Sequence, residues 1–303
     1  MIRTIQDEIL KLKKQTGAVI AAHSYQDKAI LEIADYTGDS FQLSRQAGQT
    51  DARTVILCGV HFMAETVKLL SPDKKVILAH PGAGCAMARQ IEPSYVREYK
   101  AAHPDALAVC YINTTAELKA ECDVCVTSSS ALKIVEKLEG QEILFVPDQN
   151  LGGYIAGQLP DKNMRLYSGC CPIHDSVTAA DVEKARAAHP GAPVLVHPEC
   201  RPEVTALADY VGSTSGIVSY ALESDADELI IGTEISIADA LSYRLPNKQI
   251  HILSEKLICP DMRITTLMDV YKALKGQGGE EIELDATVAK KAVACIDKML
   301  QLG

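Results

Sequence analysis

A spacing of seventeen residues occurs three times in this chain, each time between the end of an apolar run and a hydroxyl side chain, and it commits the chain to a repeated α/β architecture. His23 leads to Ser40, Tyr111 to Ser128, and His197 to Thr214. The runs before the first residue of each pair, at 18–22, 108–110 and 194–196, are short and apolar, which reads as parallel strands buried on both faces. A helix and a second short strand fill each interval. The Ser or Thr that closes it stands where the N-cap of a further helix is expected.

The pattern continues past the hydroxyl. Apolar strands open at Thr54, Glu142 and Glu228, each followed by a helical stretch and a Pro-led turn carrying Lys74, Lys162 or Lys248. A fourth strand follows each turn, at 76–79, 164–167 and 250–253, and the next loop holds a cysteine: Cys85, Cys171 or Cys259. Counted from His23, Tyr111 and His197, the cysteines lie 62, 60 and 62 residues on. Strands alternating with helices imply parallel sheets covered on both faces. The fold expected is α/β, with three pseudo-threefold-related αβα sandwich units, each with a short parallel sheet, around a central active site. The boundaries expected are 1–82 together with 263–303, then 83–170, then 171–262. Residues 265–302 read as helical, packing back on the first unit, and Met1 to Lys14 read as a charged amphipathic helix rather than a signal peptide.

A formal net charge of −10 disfavours a polyanion as partner, so nucleic acid is not expected. No apolar stretch approaches the ~18 residues a transmembrane helix needs, so no membrane span is expected and the cytoplasm is the expected location. In a reducing compartment, ten cysteines call for burial, metal binding or catalysis rather than disulfides.

Ligands of open parallel sheets bind beyond the carboxyl ends of the strands, and the repeated polar residues all fall there. Three helix starts with Ser40, Ser128 and Thr214 suit a ligand bearing carboxylates or phosphate. Three thiolates can hold a [4Fe–4S] cluster and leave one iron open as a Lewis acid, a site suited to dehydration. Zinc on three thiolates is the rival, although a structural zinc site favours a fourth ligand close in sequence. Cys170 adjoins Cys171, and spacing alone leaves either as the second ligand. Cys58, Cys110 and Cys295 lie in apolar runs and read as core. Cys200 is out of register and reads as structural. Cys122-x-x-Cys125 has no second pair and reads as buried. His23 and His197 could be core histidines, but their equivalence at strand ends favours function. Glu199 beside His197 is a candidate general acid or base, and Tyr25 and Asn113 share its repeat position. The remaining histidines carry no functional expectation, although His61 lies near a strand end.

These residues sit in a set of motifs that together resemble the quinolinate synthase family: Ala-His23-Ser-Tyr25, Gly38-Asp39-Ser40, Cys58-Gly-Val-His-Phe-Met-Ala-Glu65, Gly84-Cys85, Tyr111-Ile-Asn113, Thr127-Ser128, Pro147-Asp148, Gly169-x-Cys171-x-x-His174, His197-Pro-Glu199-Cys, Gly212-Ser-Thr214, Gly232-Thr-Glu234 and Cys259-Pro-x-Met262. The likeness runs over nearly the whole chain. It implies a [4Fe–4S] cluster on Cys85, Cys171 and Cys259, and condensation of iminoaspartate with dihydroxyacetone phosphate to quinolinate, with loss of phosphate and water, for NAD synthesis. It implies substrate contacts from His23, Ser40, Tyr111, Asn113, Ser128, His197, Glu199 and Thr214, and catalytic roles for Tyr25, Tyr111, His197 and Glu199. It also implies a functional link to an iminoaspartate-producing enzyme, an aspartate oxidase or dehydrogenase. The Cys-x-x-Cys-x-x-Cys of some members is missing around Cys259, so no such redox switch is expected. Arg263, where lysine is common, and His80-Pro-Gly, where an acidic residue often precedes the first ligand, are mild departures. A reductase of the hydroxymethylbutenyl diphosphate type would share the three-cysteine geometry but not these motifs, and a cluster-bearing redox sensor or scaffold would need an output surface, for which no nucleic-acid or partner module is visible in the sequence.

Overall fold

The computed structural model describes residues 2–139 and 142–303. Met1 of the N-terminal helical reading lies outside the described residues. The chain opens with α1 (Ile2–Thr16), β1 (Val19–His23), α2 (Lys28–Leu31), β2 (Tyr36–Gly38), α3 (Ser40–Gln49), β3 (Thr54–Cys58), α4 (His61–Leu70) and β4 (Lys75–Leu78). The order then repeats as α5 (Pro93–Ala102), β5 (Ala106–Tyr111), α6 (Ala116–Lys119), β6 (Val124–Val126), α7 (Ala131–Lys137), β7 (Glu142–Val146), α8 (Gln149–Gln158) and β8 (Met164–Leu166). The third pass is α9 (Pro172–Asp175), α10 (Ala179–Ala188), β9 (Val194–Val196), α11 (Pro202–Thr205), β10 (Tyr210–Val211), α12 (Thr214–Glu223), β11 (Glu228–Gly232), α13 (Ser236–Arg244) and β12 (Gln249–Ile252). The chain closes with α14 (Pro260–Arg263), α15 (Leu267–Leu274), β13 (Glu280–Glu281) and α16 (Ala286–Leu302).

Three sheets result, ordered β13-β4-β3-β1-β2, β6-β5-β7-β8 and β10-β9-β11-β12. Among the described residues every strand pairing is parallel except β13 with β4. The three sheets flanked by helices are the αβα units read from the repeat. The backbone gathers into two compact units. One comprises Met1–Ala88, Ile112–Ala120 and Pro260–Ala294 and holds the five-stranded sheet. The other comprises Arg89–Tyr111, Glu121–Cys259 and Cys295–Gly303 and holds both four-stranded sheets. The C-terminal segment is not helical throughout. Gly276 and Gly279 adopt left-handed backbone and turn the chain from α15 into β13 against the edge of β4. In the first unit, α15 packs on α1, and Val270 and Ala273 join Ile9, Ile20 and Ile56 in one core.

The repeat reaches the level of single hydrogen bonds. In each sheet an aspartate just before the second strand accepts the backbone N–H of the first: Ile20 N–H to Asp35 Oδ2 at 2.7 Å, Ala108 N–H to Asp123 Oδ2 at 2.7 Å, and Val194 N–H to Asp209 Oδ2 at 2.8 Å. The preceding helix supplies a cation to each, Lys13 at 2.9 Å, Lys100 at 2.7 Å and Arg186 at 2.8 Å. The repeated lysine turns have a physical reason too. Lys74, Lys162 and Lys248 donate to Thr50 O, Leu138 O and Ser224 O, the C-cap carbonyls of α3, α7 and α12. The expected N-caps need correction. Asp39 and Ser213 cap α3 and α12, and Ser130 occupies the cap position of α7. Ser40 and Thr214 are therefore first helical residues, and Ser128 lies in the turn before α7.

Removing one aspartate should loosen one sheet only. Asp123→Ala is expected to lower unfolding free energy by about 1–3 kcal/mol, the cost of leaving the buried Ala108 N–H without an acceptor. Asp123→Asn, which keeps an acceptor for Ala108 N–H, should lose less. Urea denaturation followed by circular dichroism measures both. An unchanged midpoint in the alanine variant would mean the clamp contributes nothing.

Candidate functional site

In the first unit, His23 ends β1 and is buried, with its Nδ1 accepting the N–H of Tyr25 at 3.1 Å. The Tyr25 ring stands edge-on to it, with centroids 4.4 Å apart. A ring nitrogen that accepts an N–H carries no proton, so the proton of neutral His23 sits on Nε2. Burial pushes the His23 pKa down to about 3 and keeps the ring neutral. His80, two residues past β4, makes the same turn, its Nδ1 accepting Gly82 N–H at 3.0 Å.

Asn113 belongs to a short segment of the same unit that is braced from inside. Lys119 is fully buried and donates to Ile112 O at 2.9 Å and to Thr114 O, the carbonyls on either side of Asn113. Glu65 of α4 accepts Ala116 N–H at 2.9 Å. Burial raises the Glu65 pKa against the opposing pull of Lys119. Cys85 lies half-buried in the loop after β4, and the next residue donates its N–H to Asp261 Oδ2 at 3.1 Å. Asp261 is two positions past Cys259.

The second unit gathers the densest group. His197 follows β9, and its Nδ1 accepts Glu199 N–H at 3.3 Å, repeating the His23 turn. Burial lowers the His197 pKa to about 4, only partly opposed by Glu199. Glu199 Oε2 lies 2.8 Å from His174 Nδ1, and His174 Nε2 lies 3.1 Å from Thr233 Oγ1. An ionised carboxylate only accepts, so the proton of His174 sits on Nδ1, and Nε2 accepts from the Thr233 hydroxyl. The rings of His174 and His197 stack with centroids 4.9 Å apart. Tyr111, buried at the end of β5, hydrogen-bonds Glu199 as well. Burial alone would raise the Glu199 pKa. His197, His174 and the bonds from His174 and Tyr111 outweigh it and hold the carboxyl well below its usual range. The structure thus brings Tyr111, His197 and Glu199 together.

Cys171 joins this group. Its Sγ lies with a ring nitrogen of His174 and a carboxylate oxygen of Glu199 within 4.8 Å of one another, a set that could hold a metal ion. The loop bearing Cys171 is anchored by its backbone. Asp148, the N-cap of α8, accepts Leu151 N–H at 2.7 Å and Cys171 N–H at 2.9 Å. Burial, with Glu199 adding to it, pushes the Asp148 pKa up to about 7. Gly169 passes so close to Pro147 that a Cβ would lie 2.6 Å from its carbonyl oxygen. Gln90 grips Cys170 from both sides, donating to its carbonyl at 3.0 Å and accepting its N–H at 2.9 Å. Asn150 of α8 donates to Asp175 Oδ1 and to Glu199 O, both at 3.0 Å, tying α9 to the Glu199 loop.

Ser128, Thr214 and Cys259 are half-buried in this unit, as Ser40 is in the first. Burial sorts the cysteines. Cys58, Cys110, Cys122, Cys125, Cys200 and Cys295 are buried, while Cys85, Cys170, Cys171 and Cys259 are partly exposed. Burial raises the thiol pKa of Cys58 to about 12 and, foremost among several causes, lifts that of Cys200 also. Cys110 and Cys295 meet with 3.6 Å between sulfurs. Sequence reasoning gave no role to His174, Asp148 or Lys119. The Cys171-x-x-His174 spacing, one helical turn, was the available signal for His174; nothing local announces a buried lysine.

The architecture and this group define the class first: an α/β enzyme whose polar residues collect beyond the carboxyl ends of parallel strands. Comparison with known proteins then narrows it. The profile of the "Quinolinate synthetase A protein" family matches residues 7–301. The quinolinate synthase of Alkaliphilus metalliredigens (strain QYMF) is 48% identical over 296 residues, spanning 98% of this chain and 97% of that protein. Those of Clostridioides difficile (strain 630) and Aquifex aeolicus (strain VF5) are 46% and 44% identical, over 96% and 100% of this chain and 95% of each relative. The chain belongs to the quinolinate synthetase A protein family. No helix among the described residues is long and apolar enough to cross a membrane.

The neutral, buried histidines carry a pH dependence. Their folded pKa values lie below the unfolded 6.5, so their contribution is complete above pH 6.5 and is lost as pH falls toward 4. Stability in urea should drop by about 2 kcal/mol per histidine between pH 7 and pH 5. His23→Gln should flatten part of that slope; an identical slope in the variant would contradict a neutral buried ring.

Proposed function

We propose that the protein condenses iminoaspartate with dihydroxyacetone phosphate to quinolinate, losing phosphate and water, on a [4Fe–4S] cluster held by Cys85, Cys171 and Cys259. The observation that carries this reading is Glu199, a buried carboxylate kept ionised by Tyr111 and His174 beside the Cys171 sulfur. The cysteines fit the group. The three are partly exposed thiols on loops that each follow a fourth strand, while the six buried ones are spent on the core. Within the first unit Ala86, beside Cys85, donates to Asp261, and within the second Gln90 brackets Cys170, beside Cys171. Cys171 is favoured over Cys170 as ligand, because Cys171 accompanies His174 and Glu199 while burial raises the Cys170 thiol pKa. When bound, the cluster supplies an open iron able to polarise a substrate oxygen.

The chain's own residues do the rest. Glu199, anionic and already bonded by two donors, takes a proton from carbon or hydroxyl and returns it where water leaves. Tyr111 steadies the charge on Glu199. His197 and His23 donate through Nε2–H to substrate oxygens without adding charge. Tyr25, beside His23, is a second proton carrier. Asn113 orients substrate from the segment that Lys119 braces. Ser40 and Thr214 open α3 and α12, and their hydroxyls and helix-start N–H groups suit carboxylate or phosphate oxygens, with Ser128 in the corresponding turn. In this reading the three sheets act as units of 1–82 with 263–303, 83–170 and 171–262. The protein works in the cytoplasm, apart from membranes and nucleic acid, in NAD synthesis. Its labile imine substrate comes from an aspartate oxidase or dehydrogenase.

Anaerobically purified protein should contain iron and sulfide in cluster proportion. Cys85→Ala, Cys171→Ala and Cys259→Ala should each lose it, while Cys200→Ala keeps it. Full iron content in any of the first three variants would remove that residue as a ligand. Glu199→Gln should retain the cluster and turn over roughly 10²–10⁴-fold more slowly in a quinolinate assay. Intact holoprotein that forms no quinolinate from the two substrates would defeat the reading.

A further inference from the structure

A second constellation lies at the opposite end of the third sheet, away from the strand ends that carry His197 and Glu199. Glu228 is the first residue of β11, His251 the third of β12, and His189 the C-cap residue of α10. The register pairs Ile230 with His251, so Glu228, two residues earlier, shares a sheet face with His251. His251 Nε2 lies 2.9 Å from Glu228 Oε2, and His189 Nδ1 lies 3.7 Å from the same oxygen. The two imidazoles stack with centroids 3.4 Å apart and planes 15° from parallel. All three donor atoms lie within 4.8 Å of one another.

The second sheet gives the comparison. His103, Glu142 and Arg165 stand 86 residues before His189, Glu228 and His251, in the same register. There His103 Nδ1 pairs with Glu142 Oε2 at 2.9 Å, and the third place holds a guanidinium, which cannot ligate a cation. One exchange of arginine for histidine separates an ordinary His–Glu pair from a His–Glu–His set.

We propose that His189, Glu228 and His251 form a binding site for one divalent transition ion of the zinc type. Bonds of about 2.0–2.2 Å from a tetrahedral ion put neighbouring donors about 3.3 Å apart, and the two contacts at Glu228 Oε2 bracket that length. Two imidazole nitrogens and a carboxylate select Zn²⁺, Co²⁺ or Ni²⁺ over Mg²⁺ or Ca²⁺, which want oxygen alone. The three side chains are partly exposed, which leaves the fourth vertex to water. A bound ion would tie the end of α10 to β11 and β12, stiffening the third sheet from the side away from the chemistry.

The site is independent of the proposed activity, and its test does not use that activity. Cluster-loaded protein is dialysed anaerobically against micromolar zinc chloride, and zinc and iron are counted per chain. Wild type should retain one zinc more than His251→Arg, which installs the residue of the second sheet, and one more than His189→Gln, at equal iron. Zinc should raise the thermal midpoint of the wild type and leave that of each variant at its own zinc-free value. Equal zinc in wild type and variants, or none in wild type, overturns the proposal. If His251→Arg folds poorly, His189→Gln alone decides between these outcomes.

Discussion

A single carboxylate repeated in each sheet sets the geometry on which the rest of the molecule depends. Asp35, Asp123 and Asp209 each accept an N–H from the first strand of their sheet, fifteen residues upstream, while a cation from the preceding helix neutralises them. The bond joins the start of the second strand to a chosen residue of the first. Three residues on from that fixed point stands His23 or Tyr111, the last residue of its strand, or His197, the first beyond its strand. The same clamp therefore places three different side chains at the same height above three sheets. A one-residue slip would turn each of them to the other face.

What is assembled on that frame is a balance of burial against hydrogen bonding. Glu199 is as buried as the surrounding core, and solvation alone would leave it protonated. Two donors, the Tyr111 hydroxyl and the His174 imidazole, keep it charged, and the nearby His197 adds a favourable electrostatic contribution. Asp148, only slightly farther into the interior, gets backbone N–H groups instead, and feels Glu199 as a like charge. Its carboxyl is pushed the opposite way. Two acids in one neighbourhood thus hold protons with very different grip, the arrangement from which acid and base roles are usually drawn.

Much of this was legible in the sequence because it is periodic. Apolar runs at constant spacing gave the strands, their order and the position of His23, Tyr111 and His197, and the cysteine offsets followed from the same repeat. What failed to show was whatever depends on contact rather than period. The helix caps shifted by one residue because Asp39 and Ser213 could compete with Ser40 and Thr214 for the same N–H groups, and spacing does not rank two adjacent caps. β13 was missed because two glutamates carry no apolar signal and form a strand only against the edge of β4. His174 became visible only when α9 set it against Glu199, and Lys119 only when two carbonyls were seen to surround its ammonium.

The turn shared by His23 and His197 has one more implication. In both, the nitrogen nearest the backbone is occupied by an amide two residues on. A ring used as a proton wire must take a proton at one nitrogen and release it from the other, passing through both neutral forms. Here the second form would set two N–H groups against each other, so the wire is cut at the backbone. These two imidazoles, each within its own unit, are fixed-polarity contacts rather than relays.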